Sequence, residues 1–153
     1  GRLFDAVSAL CGLSAVTSFE GQAAMALEFA AEADCDEAYP LPLVAQAEGP
    51  AMADWEPLVR EVLRDRRAGV PIQRISARFH NALAELALGV ARRVGLRRVA
   101  LSGGCFQNAL LQDRVERRLL DEGYDVLAHR EVPPGDGGIA LGQLWIARDR
   151  LRG

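Results

Sequence analysis

A chain of 153 residues, 50% hydrophobic and 25% charged, has the size and composition of one globular domain with a sizeable core. No apolar run reaches the roughly 18 to 20 residues that cross a bilayer, and GRLFDAVSAL lacks the layout of a secretory signal; the expectation is a cytoplasmic protein with no membrane partner. The net charge of -3 gives no reason to expect a nucleic-acid partner, and because all 18 basic residues are Arg, a Walker lysine and a Schiff-base lysine are excluded.

Leu3, Phe4, Val7 and Leu10 recur at helical spacing before Gly12, which predicts a short amphipathic helix over 2–10. FEGQAAMALEFAAEA, residues 19–33, predicts a mostly apolar helix ending near Asp34, with Met25, Leu27 and Phe29 as its apolar positions. YPLPLVAQAEGP reads as an extended segment or edge strand, because Pro cannot donate to an interior ladder. Asp54 is an N-cap for a helix that places Trp55, Leu58, Val59, Val62 and Leu63 on one face and closes at Gly69. Pro71 suits the first turn of the next helix, whose stripe runs through Ile72, Ile75, Phe79, Leu83, Leu86 and Val90 to Val94. Arg92, Arg93, Arg97 and Arg98 then read as its solvated end. Beyond this point RRVALSGG and YDVLAHREV are strand-like runs flanking the helical FQNALLQDRVERRLLDEG, a strand, Gly-rich turn, helix, strand unit. A last helix from about Gly138 to Arg150 is expected to bury Ala140, Leu141, Leu144, Trp145 and Ile146.

Two Gly-rich turns, SGGCFQN and PPGDGG, stand at helix starts, where unsatisfied N–H groups and the positive dipole end favour an anion. Neither matches the P-loop or the dinucleotide fingerprint, and either alone is more often a structural turn. Asp136 reads as a cap or Asx-turn residue or as a metal ligand; with no carboxylate or His beside it, spacing favours the cap. His80 reads as a packed histidine, whereas His129 ends a strand and is open to either role. Asp5 and Glu20 are solvated carboxylates or acceptors for a ribose diol, and Gln107 and Asn108 are helix-start polar residues or base and ribose contacts. Cys11, Cys35 and Cys105 form no C-x-x-C pair and are expected to be reduced, partly buried thiols, with Cys105 structural because no base is close in sequence.

GRLFDAVSALCGL, FEGQAAMALE, FHNALAELA, VALSGGCFQNALL and HREVPPGDGGIALGQ, taken in order, resemble the C-terminal part of the HypF family, carbamoyltransferases of NiFe-hydrogenase maturation. The resemblance, which extends to the TsaD-type threonylcarbamoyl transferases, implies an α/β fold: residues 1–153 would be one lobe of the actin-like, sugar-kinase-like ATPase architecture, with a short sheet and packed helices. A helical portion would span about 54–95 and the nucleotide-site portion about 97–152. It also implies that Asp5 reaches the ribose, for which Glu20 remains the second carboxylate candidate, that Gly103 and Gly104 line the nucleotide with Asn108 close by, and that Asp136 is a metal-ligand aspartate, reversing the cap reading. The implied reaction uses carbamoyl phosphate and ATP to form carbamoyl adenylate and passes the carbamoyl group to the C-terminal cysteine of a partner, HypE. The family's preceding domains and its His-rich metal motif have no counterpart in these residues, so the divalent metal would be shared with a missing lobe and the isolated chain is expected to be inactive. The alternatives are a carbamoyl or threonylcarbamoyl transferase with another acceptor, and a non-catalytic nucleotide-binding or interaction module. In that second case residues 55–94 would expose apolar surface and favour self-association.

Overall fold

The longest apolar stripe becomes the axis of the molecule. In the computed structural model, which describes residues 2–152, this helix packs against α1 (Arg2–Cys11), α2 (Gln22–Ala30), α3 (Glu56–Arg67) and α5 (Ala109–Asp121), and is itself α4 (Ile72–Val94). Its Ile75, Phe79, Ala82 and Leu88 are buried with Phe4 and Val7 of α1, Leu27 of α2, Leu58 and Val62 of α3, and Leu111, Val115 and Leu119 of α5. The Phe4 and Phe79 rings meet edge to face, centroids 5.0 Å apart at 87°, the arrangement that ring quadrupoles favour. Small residues Ala77, Ala84 and Ala91 are buried while Val90 is exposed. Neighbours thus approach α4 closely on more of its circumference than a single stripe predicts.

The proline-rich segment forms a minimal antiparallel pair, β1 (Leu43–Val44) with β2 (Met52–Ala53). Asp54 lies one residue before the helix N-cap Trp55, yet its carboxylate accepts from Glu56 N at 3.1 Å and so serves the predicted start. β3 (Arg98–Leu101) and β4 (Asp125–Ala128) pair in parallel, Arg98 with Asp125 through Leu101 with Ala128, and α5 makes the crossover that a parallel pair requires. With α6 (Ile139–Arg152) the chain is an α/β structure of helices around a small sheet. Among the described residues no helix is long and apolar enough to cross a membrane.

Two helices depart from expectation. α2 ends at Ala30 because Ala31 turns to an extended conformation and Glu32 N donates instead to Gln73 O at 3.1 Å. Met25 and Phe29 are exposed, and only Ala23 and Leu27 are buried. α6 forms where the periodicity places it, but its predicted core face is in solvent, with Leu144 68% and Trp145 58% exposed. The reason is that α6 packs chiefly on the turn that precedes it. The Arg148 guanidinium lies over the Trp145 ring, 3.6 Å from its centroid. Ile139, Leu141, Leu144, Trp145, Ile146 and Leu151 make α6 the helix with the most exposed large apolar side chains; on α3 and α4 only Val90 and Val94 are exposed, with Trp55 at the α3 N-cap.

Buried polar groups stitch the helices together. Arg114 of α5 donates to Ala77 O at 2.7 Å, Asn81 Oδ1 at 2.9 Å and Glu32 O at 3.2 Å, and Asn81 donates to Cys35 O at 2.7 Å. Tyr39 and Arg78 both donate to the buried Asp65, at 2.7 and 2.5 Å. All three cysteines are free thiols; Cys11 and Cys35 are buried, but Cys105 is exposed rather than partly buried, because it rides on the outside of the first Gly-rich turn.

Candidate functional site

The parallel register brings the carboxyl ends of β3 and β4 to one edge, where open α/β sheets hold their ligands. The turns that leave this edge are tied by a backbone bond from Gly103 N to Pro134 O, 2.8 Å. Between them lies a cleft of about 310 Å³, lined by Gly103, Gly104, His129, Asp136 and Gly138 among others. Gly103 sits at φ 104, ψ 160, a region open essentially to glycine. A Cβ on Gly138 would lie 2.7 Å from the Pro133 carbonyl oxygen, so this glycine lets the second turn close on itself. Gly104 has open space where a side chain would stand, leaving the first turn's backbone accessible. The N–H groups of Gly104, Cys105, Asp136 and Gly137 have no acceptor among the described residues, and of these residues Gly104 and Asp136 line the cleft, one from each turn.

The α5 N-terminus itself is closed. Asn108 Oδ1 accepts from Leu111 N at 2.8 Å, and Glu28 of α2 accepts from Ala109 N at 2.8 Å and Leu110 N at 3.3 Å. A carboxylate here answers the helix dipole as a phosphate would, so an anion has only the preceding 3-10 turn, Gly104–Gln107, to approach. Glu28 carried no signal in the sequence, because the residues it caps lie 81 and 82 positions away.

Asn108 is buried and committed on both ends, since its Nδ2 donates to His80 Nε2 at 3.1 Å. His80 Nδ1–H in turn donates to Ser76 O at 2.8 Å, so one neutral tautomer satisfies the whole chain of bonds. Burial pushes the His80 pKa down to about 4. An unfolded chain takes up that proton near pH 6.5 while the fold resists until about pH 4, so stability is fully present above 6.5 and falls by roughly 3 kcal/mol as pH drops through that window. Urea unfolding midpoints between pH 7 and pH 4 check this, and a profile without that decline contradicts it.

Asp5 is exposed on α1 and Glu20 is exposed in the turn before α2; neither lines the cleft. Their connection to it is indirect: Phe4 packs 5.8 Å from the His80 ring, and His80 holds Asn108 at the foot of the first turn. Gln107 reaches across to the second turn, where its amide occupies the space a Gly135 side chain would need. Asp136 lies in the short 3-10 turn Asp136–Gly138, whose N-cap is Gly135, with no side-chain cap bond. It lines the cleft as a lone carboxylate, and among the described residues no group of three or more His, Cys, Asp or Glu side chains could enclose a metal ion. Ser102 and His129, the residues just past the paired Leu101 and Ala128, meet at 3.1 Å between Oγ and Nε2. Sequence reading left this pair unjoined, since only the register makes them neighbours.

The family model described as "Carbamoyltransferase, Kae1-like Domain, second subdomain" matches residues 1–143. A relative named "Carbamoyltransferase HypF", from Synechocystis sp., is 41% identical over 94% of this chain, which spans 18% of that protein. Among solved structures, "full-length HypF in the phosphate- and nucleotide-bound form" superposes over all of this chain and 24% of its own, with a TM-score of 0.87 and 39% identity. The HypF of T. kodakarensis superposes with a TM-score of 0.72 at 28% identity, over 98% of this chain and 20% of its own. The chain thus spans about a fifth of the length of these proteins. With its ordered motifs, its parallel strand unit and its two facing turns, it belongs to the HypF carbamoyltransferase family, matching the second subdomain of the Kae1-like domain.

Proposed function

We propose that this chain forms one wall of a cytoplasmic carbamoyltransferase site, in which ATP and carbamoyl phosphate yield carbamoyl adenylate and the carbamoyl group passes to the C-terminal cysteine of a HypE-like acceptor. The observation that carries the reading is the cleft between the SGG and GDGG turns, which are tied together by Gly103 N to Pro134 O and each bring backbone N–H groups without an acceptor, as at Gly104 and Asp136, to its lining. The bound state named for the full-length HypF structure supports it. Gly103 and Gly104 line the phosphates and Asn108 fixes the first turn from below; Asp5 and Glu20, which lie outside the cleft, would meet the ribose hydroxyls only where the nucleotide extends past it. Asp136 fits as one ligand of a divalent metal whose other ligands lie outside this chain; the ion would supply Lewis-acid stabilisation of the phosphates. This chain's own share is to hold the phosphates by backbone donors and to keep the turns in register, so alone it is inactive.

The complete protein, given labelled carbamoyl phosphate, ATP and a peptide ending in cysteine, is expected to label the thiol. Label on RNA or on a small-molecule hydroxyl instead sinks the acceptor assignment. The exposed apolar side chains of α6 favour a second property, self-association of the isolated chain. Light scattering that reports a monomer at every concentration removes it.

A further inference from the structure

We infer that His129, oriented by Ser102, takes the proton from the attacking acceptor during carbamoyl transfer; the assignment rests on the carbamoyltransferase reading and adds a residue to it. The geometry begins with the register. Leu101 and Ala128 are paired, so the next residues leave two parallel strands side by side at the mouth of the cleft, with Ser102 Oγ and His129 Nε2 3.1 Å apart. Both line the cleft, and His129 is exposed.

Hydrogen-bond polarity then bears on the imidazole. Ser102 Oγ also lies 3.5 Å from Pro134 O, a carbonyl that can only accept. With the hydroxyl hydrogen on that carbonyl, the serine oxygen accepts from Nε2–H and the ring's lone pair is on Nδ1, the tautomer that the proposed role requires. A neutral imidazole held in one tautomer by a hydrogen-bonded partner is the arrangement that general bases share. Asp136 is the other titratable residue lining the cleft. The neighbouring Arg130 is paired with Glu116, and Arg98 with Asp125.

The step balances without a further reagent. The acceptor sulfur forms a bond to the carbamoyl carbon, the bond from that carbon to the adenylate phosphate oxygen breaks, and AMP departs with the electron pair. The thiol proton moves to His129 Nδ1 and from there to water. A thiol is mostly protonated at neutral pH while the thiolate is the nucleophile, so removal of this proton is where a base contributes.

The test uses the complete carbamoyltransferase with a cysteine-ended acceptor peptide. His129→Gln keeps a hydrogen-bond donor for Ser102 but has no basic nitrogen. It is expected to lower kcat about a hundredfold and to remove the acid limb of the kcat–pH profile. Added imidazole is expected to restore part of the rate in His129→Ala. Ser102→Ala is expected to lower kcat about tenfold while keeping the acid limb, as a positioning residue should. An unchanged kcat in His129→Gln, an acid limb that persists, or loss of bound divalent metal overturns the inference. If the wild-type protein carbamoylates no thiol, the underlying function reading fails and the inference with it. If the wild type is active and His129→Gln equally so, only the inference fails.

Discussion

Asp136→Asn is expected to lower metal-dependent carbamoyl transfer by the complete enzyme about a thousandfold while leaving its melting temperature, measured without ligand, unchanged within a degree or so. Asn keeps the shape of the side chain and removes the charge, and a metal's stabilisation of phosphate charge is worth several kcal/mol, of which about 4 corresponds to that factor. The stability half follows from the fold. The carboxylate is exposed and makes no cap bond, and the turn is capped by Gly135, so nothing structural depends on the charge. In the isolated chain the same change is expected to be silent, because the described residues supply no second ligand beside it. Carbamoyl transfer rates and metal content, measured together, decide the matter; wild-type rates in the Asn variant would remove Asp136 from the site.

Phe79→Ala is expected to cost about 3 to 5 kcal/mol, a large part of the stability of a domain this size. The ring has no exposed surface and fits edge-on against Phe4 at 5.0 Å and against His80 at 5.6 Å. Its removal opens a cavity where α1 and α4 meet, beneath the histidine that holds Asn108. The companion change Trp145→Ala on α6 deletes a larger side chain and is expected to cost about 0.5 kcal/mol or less, because that ring is already largely in water. Denaturant midpoints of the two variants check the contrast, and equal losses would show that α6 is packed in solution.

Much of this architecture is legible in the chain. Helical spacing of Leu3, Phe4, Val7 and Leu10 with a stop at Gly12, and the stripe from Ile75 through Phe79, mark α1 and α4 because both bury their faces within this chain. The strand, turn, helix, strand unit is equally visible, since each of its elements is bounded by Gly or changes hydrophobic period. α6 shows why the face of a helix is harder to read than its existence. Leu141, Leu144, Trp145 and Ile146 have an apolar pattern whether or not anything in the chain covers them.

In the cleft, the paired glycines are conspicuous in the sequence but their division of labour is not. Only backbone dihedrals show that Gly103 makes the bend while Gly104 leaves room. The Glu28 cap and the Ser102–His129 pair are contacts across 81 and 27 positions, made by the fold and absent from any local pattern.

The two walls of the cleft stand on different foundations. The first turn is anchored through Asn108 to His80 and through Glu28 to α2, and so to the buried centre of the molecule. The second continues into α6, whose side chains contribute little to that centre, and it meets the first through the bond from Gly103 to Pro134. Local opening costs least where few apolar contacts are broken. Amide exchange is therefore expected to show α4 and α5 opening only with the whole molecule and α6 opening on its own, with the Gly103 amide at the boundary between the two regimes.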